Sequence, residues 1–470
     1  MAKRYVIFAL VIVLLFCCTS CTQRTAALND NSSNDALSDV APSDIATSDT
    51  APSDGTQVPS ESDGEAESQA NFAASSRTAN DTGTAVSEPD AVFTASNSTE
   101  VRGMWIAFFE LYPMFDVGKD FREEFAKVLD NCVESGINSV YVHVRSHCDA
   151  FYDSEIFPWS KYVNGVDGTQ GRAPEFDPLE VMIALAHERG LEFHAWINHY
   201  RVLKDSTDLS LLSDDNPAKI WLTDSDDSND LCVTECKGGL YLNPAEPQVQ
   251  RLIADGVREI VKNYDVDGIH FDDYFYPTTD ESFDEAHYAA YRASVSSNPL
   301  PLADWRRANV NAMVGAVYNA VKSEKPTCIF GISPMASIRN NYNTVYADIA
   351  AWLELGVVDY IMPQLYFGFE YPDEKSRYDT LLREWCELIA GKPQQLLIGL
   401  GSYRVGSTDS YHAEWSEHDD VLARQIEMLR ADGVSDGFVI YSYTTFFKED
   451  ELSTAVRASV RNLTCRNSGD

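Results

Sequence analysis

The run Asp267-Gly268-Ile269-His270-Phe271-Asp272-Asp273-Tyr274-Phe275-Tyr276-Pro277 is a short apolar strand that ends in two adjacent carboxylates and a cluster of aromatic rings. Carboxylates at the end of a buried parallel strand can stabilise an oxocarbenium-like transition state, and aromatic rings can hold a pyranose face. The same residues could instead form an acidic loop that caps the next helix, because Asp is a favoured N-cap. Side chains alternate along a strand, which favours Asp272 over Asp273 as nucleophile or charge stabiliser. Asp273 would then bind a sugar hydroxyl or cap the following loop.

The elements around this run indicate what positions it. Short apolar segments at 101–108, 138–144, 192–197, 268–272, 328–333, 360–364, 396–401 and 437–443 alternate with amphipathic helical stretches at 120–135, 178–189, 247–264, 304–322, 345–355, 378–389, 421–431 and 449–460. Eight strand–helix pairs predict a (β/α)8 TIM barrel over residues 100–464, with an open doubly wound sheet as the alternative. In a barrel the residues that end each strand form the working face. Here they are polar and aromatic. Arg145, His194, Asn198, His270 and Gln364 are assigned to substrate recognition, and Trp196, Tyr274, Tyr276 and Tyr366 to stacking on sugar rings.

Several ordered motifs carry a resemblance to a known family. They are Arg102-Gly103-Met104-Trp105, Asp149-Ala150 with Pro158-Trp159-Ser160, His194-Ala195-Trp196-Ile197-Asn198, the 267–277 run, Gly331-Ile332-Ser333-Pro334, Arg339-Asn340 and Pro363-Gln364-Leu365-Tyr366. Together they resemble the glycosyl-hydrolase-like family 10 of bacterial barrel proteins. The resemblance implies a glycoside hydrolase of the cell envelope, with peptidoglycan strands as substrate, especially strands stripped of peptide. The segment Gly268 to Asp272 also resembles strand four of amylase-like barrels, in which the terminal Asp attacks the anomeric carbon. The strand-five Glu of those enzymes has no counterpart, since that strand ends in Ser333-Pro334. Asp149 and Glu370 are the acids nearest to matching strand ends, and Asp149 is preferred as the second catalytic carboxylate because it lies within a family motif. It could equally organise its loop through backbone amides.

Two other functions remain open on the residues alone. His143, His194 and His270 lie near adjacent strand ends, as in a metal-dependent deacetylase, but strands five and six offer no further ligand. A glycan-binding protein without catalysis is the other reading. No metal or cofactor is expected. No nucleophile elbow or phosphate loop is evident.

Ahead of the barrel, Lys3 and Arg4 precede an apolar run that is too short to span a bilayer, the order of a secretory signal. The run closes on Cys17-Cys18-Thr19-Ser20-Cys21, which resembles a lipobox with Cys21 lipidated and Cys18 as runner-up. A signal over 1–21, a Ser/Asp/Ala-rich disordered linker over 22–99 and a short tail over 465–470 would place the barrel on a membrane-anchored tether facing the envelope. The net charge of -37 argues against nucleic acid as a partner. Seven cysteines follow the signal, and Cys232 and Cys236 are close enough in sequence to pair.

Overall fold

The structure is a computed structural model that describes residues 100–164 and 170–465; the expected signal and linker lie outside the described residues. Eleven strands are described: β1 (Val101–Ile106), β2 (Ser139–Arg145), β3 (Glu192–Ile197), β4 (Arg201–Leu203), β5 (Val233–Cys236), β6 (Gly239–Leu242), β7 (Gly268–Phe271), β8 (Ile329–Ile332), β9 (Tyr360–Ile361), β10 (Gln395–Gly401) and β11 (Gly437–Tyr441). Eight of them close a parallel barrel in the order β1-β2-β3-β7-β8-β9-β10-β11, with β11 paired to β1 from Val101↔Gly437 to Met104↔Ile440. Closure excludes the open sheet, which would leave two edge strands unpaired. β4, β6 and β5 form a separate three-stranded sheet within the segment between β3 and β7.

The two faces of the barrel strands carry different residues. Outward positions such as Ile106, Val142, Ile269 and Ile332 join a large aliphatic core beneath the helices. Inward positions form a second cluster rich in rings, including Trp105, Tyr141, Trp196, Tyr360, Tyr366 and Tyr441. Burying one such ring contributes about 4–6 kcal/mol, from ~150–250 Å² of surface at ~25 cal/mol per Å². Rings of this size fit only where facing positions give way. A Cβ at Gly331 would lie within the ring of Tyr360, and one at Gly268 would meet the imidazole of His194.

Helix starts follow from local chemistry. Asp120 accepts hydrogen bonds from the amides of Arg122 and Glu123 to open Phe121–Glu134, and Asp177 does the same for Leu179 and Glu180 at Pro178–Glu188. Asp177 also accepts from the Asp153 amide at 3.0 Å and the Tyr264 hydroxyl at 2.6 Å, so it pins the long loop after β2. The seven described cysteines are free thiols. Cys232 ends a 3-10 turn and Cys236 ends β5, and both are free, so the expected pair is not formed.

Candidate active site

The inward face of β7 carries Gly268 and His270, and the next inward position is Asp272 at the barrel mouth. Asp272 Oδ2 accepts a hydrogen bond from Trp196 Nε1 at 3.0 Å and lies 3.4 Å from Asn198 Nδ2. Asn198 Oδ1 accepts from the Arg201 amide at 3.1 Å, which fixes the turn that follows β3. Asp273 is held by the side-chain amide of Gln364, which also donates to the Ser333 carbonyl at 3.0 Å. Oδ1 of Asp272 and Oδ1 of Asp273 are both buried and have no partner within the protein.

This environment changes what the two acids can do. Burial pushes the Asp272 carboxyl up to about 6, against the Trp196 and Asn198 hydrogen bonds and the charge of Arg201. Burial, and then the charge of Asp272, push Asp273 up to about 7. Both acids are therefore harder to ionise than a surface Asp, and Asp273, which also meets the charge of Asp272, is the harder of the two, which favours a protonated Asp273 beside an ionised Asp272. That is the combination acid-assisted bond cleavage requires. A third buried acid, Glu110, is different. Its carboxylate accepts from the Ala107 amide, the Ser442 hydroxyl, and the amide and hydroxyl of Thr444, which ties the loops after β1 and β11 together. With both oxygens engaged, Glu110 is a clamp.

Several expected site residues lie elsewhere. Arg145 points out of the barrel because a register shift between His143 and Arg145 pairs it with Ile197, itself an outward position. Its guanidinium packs over the Phe157 ring at 4.4 Å and against Gly256 on the helix Pro247–Asn263. His194 stacks on Tyr141 at 4.3 Å and faces Glu192 at the start of β3, four strand positions below Asn198 and far from the mouth. His270 has both ring nitrogens engaged. Trp105 Nε1 donates to its Nε2 at 3.1 Å, so Nδ1 carries the proton that meets the Tyr360 hydroxyl at 2.9 Å. Tyr276 turns away into a cluster with Tyr346, Phe283 and Arg306. Asp149 is buried in the loop after β2 beside Ser160 and Gln170, where burial pushes its carboxyl up.

The rest come together at the mouth. Tyr274 lies beneath the Arg201 guanidinium at 4.4 Å, and Tyr366 stacks on Tyr441 at 5.7 Å. One face of Trp196 is covered by His143 at 3.9 Å, and its Nε1 donates to Asp272. Arg201 and Tyr441 were given no role from the sequence. Their signal was position: each stands at or just after the carboxyl end of a barrel strand. Among the described residues, no three His, Cys, Asp or Glu side chains converge as a metal-ligand set.

Residues 100–417 match the model of the family described as glycosyl hydrolase-like 10. The chain belongs to this family. It is similar to the glycosyl hydrolase YngK of Bacillus subtilis (strain 168), with 35% identity over 387 residues that cover 77% of this chain and 72% of the relative. It is likewise similar to the glycosyl hydrolase DigH of Escherichia coli (strain K12), with 32% identity over 401 residues, 78% of this chain and 87% of the relative. The glycoside hydrolase domain of PgaB from Bordetella bronchiseptica shares the fold, with a TM-score of 0.50 at 14% identity over 77% of this chain and 99% of that one. As a member of the glycosyl hydrolase-like 10 family, the protein is a glycoside hydrolase.

Proposed function

We propose that the protein hydrolyses the glycan strands of the bacterial cell wall, outside the cytoplasm and held to a membrane through lipidated Cys21. The observation that carries the chemistry is the pair of adjacent buried acids, each with one oxygen left without a protein partner at the barrel mouth. Asp273, the harder to ionise, holds the proton and donates it to the glycosidic oxygen as the bond to the leaving sugar breaks. Asp272, fixed by Trp196 and Asn198, presents its carboxylate to the positive charge that grows at the anomeric carbon. Water completes the reaction and its proton returns to Asp273.

YngK and DigH carry the name glycosyl hydrolase, which supports the reaction class. The apolar run ending at Cys21 and the Ser/Asp-rich stretch after it support the envelope location. The test is product analysis by mass spectrometry after incubation of residues 100–470 with intact and peptide-stripped peptidoglycan. New saccharide ends are expected with the parent, and Asp272→Asn should reduce their rate by at least about a hundredfold. Saccharide release that persists undiminished in Asp272→Asn would remove Asp272 from the chemistry.

A further inference from the structure

Two groups meet Asp272 Oδ2, the indole N–H of Trp196 and the side-chain amide of Asn198, and both need support from elsewhere. The second torsion of a tryptophan turns about an sp3–sp2 bond with a broad minimum, so the direction of its N–H is set by what packs on the ring. A hydrogen bond weakens steeply once its donor tilts out of line. Trp196 meets Tyr441 and His270 at 6.4 Å and at steep angles of 71° and 77°. His143, the last inward residue of β2, is the ring that lies flat on it, at 3.9 Å with 12° between the planes.

His143 is itself anchored. It is buried, the core residue Phe108 meets it at 5.4 Å and 77°, and a hydrogen bond with the Arg145 backbone steadies its ring. Burial, followed by the charge of Arg201, holds it well below the usual histidine range, so it stacks as a neutral imidazole. The Arg145 carbonyl also accepts from the Asn198 amide at 2.8 Å. The end of β2, where the register shifts between His143 and Arg145, thus stands behind both partners of Asp272. The ring backs Trp196 and the carbonyl backs Asn198. Bulges beside active sites re-aim side chains in this manner.

We propose that His143 is a positioning residue for the reaction: by lying flat on Trp196 it keeps the indole N–H aimed at Asp272 Oδ2, without touching substrate itself. The inference rests on the reading that Asp272 acts as a carboxylate in glycan cleavage. The Trp196 bond favours the charged form of Asp272, so losing it raises the pH at which Asp272 ionises. Activity that needs the carboxylate is then lost at a higher pH on the acid side. The other groups that face Asp272 are the same in parent and variants: Asp273, Arg201, Asn198, the Tyr274 amide and, one inward position below, neutral His270.

The test measures kcat and KM against pH on peptide-stripped cell-wall glycan, with folding checked by circular dichroism. His143→Leu keeps apolar bulk without a flat face, His143→Phe restores a flat ring, and Trp196→Phe removes the N–H. His143→Leu should move the acid limb of kcat/KM up by roughly one pH unit, the worth of one hydrogen bond to a charged group, and lower kcat by roughly tenfold with KM little changed. His143→Phe should keep the limb of the parent. Adding His143→Leu to Trp196→Phe should move the limb no further than Trp196→Phe alone, since the bond it aims is already gone. A parent-like limb in folded His143→Leu, a shifted limb in His143→Phe, or a further shift in the double variant overturns the positioning role while leaving the glycosidase intact. Should His143→Leu fail to fold, His143→Phe decides: a parent-like limb supports the role and a shifted one overturns it. No cleavage by the parent, or a parent profile without an acid limb, overturns the functional reading and the positioning role with it.

Discussion

Two carboxyl groups one residue apart, buried together, resist being ionised at the same time. The free energy of that resistance should be measurable as stability. An Asp with an unfolded pKa of 3.8 and a folded value pushed up to about 7 keeps its proton in the native state while the unfolded chain gives it up, so stability falls as pH rises between those values. Asp273→Asn should therefore abolish activity and yet stabilise the fold by on the order of 2 kcal/mol above pH 7, with no gain below pH 4. Thermal unfolding across pH checks this. Curves that stay parallel to the parent at every pH would show that Asp273 ionises as an ordinary surface acid does. The placement of Asp272 and Asp273 together at the end of β7 was legible in the sequence, because an apolar strand that stops at two acids sets them at the barrel mouth. The roles of His270 and Tyr276 were not. Both are polar rings at plausible positions, and only their partners, Trp105 and Tyr360 for one and Arg306 and Tyr346 for the other, show that they are internal.

Strands and helices carried most of the legible signal. All eight barrel strands were found within a few residues, since apolar runs separated by amphipathic helices allow few other arrangements. Arg145 shows where periodicity stops working. A single register shift in β2 reverses its direction, and no glycine or proline marks the spot. The small sheet of β4, β5 and β6 escaped because strands of three and four residues carry too little alternation to read. The pairing of interior rings with glycines is an element-level property with its own test. Gly331→Ala should cost about 1–3 kcal/mol of stability, seen as a lower denaturation midpoint at an unchanged slope, because the Tyr360 ring occupies the space the methyl needs. An unchanged midpoint would mean that Tyr360 can withdraw freely.

At the scale of the molecule, the acidic excess of 73 Asp and Glu over 36 Lys and Arg gives a net charge of -37, unsuited to polyanions such as nucleic acid. Anchoring is a separate question. Cys21→Ser, expressed with its own leader, should move the protein from the membrane pellet to the soluble fraction. Equal solubility of parent and variant would remove the lipid anchor from the proposal. In parallel barrels every strand starts at the end away from the working face. β1 begins there at Val101, and the residue before it, Glu100, is fastened by Arg430 through two bonds of 2.6 and 2.7 Å. Any pull on the chain ahead of residue 100 is thus received at the base. A chain that enters at residue 100 therefore joins the barrel at the end opposite its mouth, and the way in for a polymer is left clear of that junction.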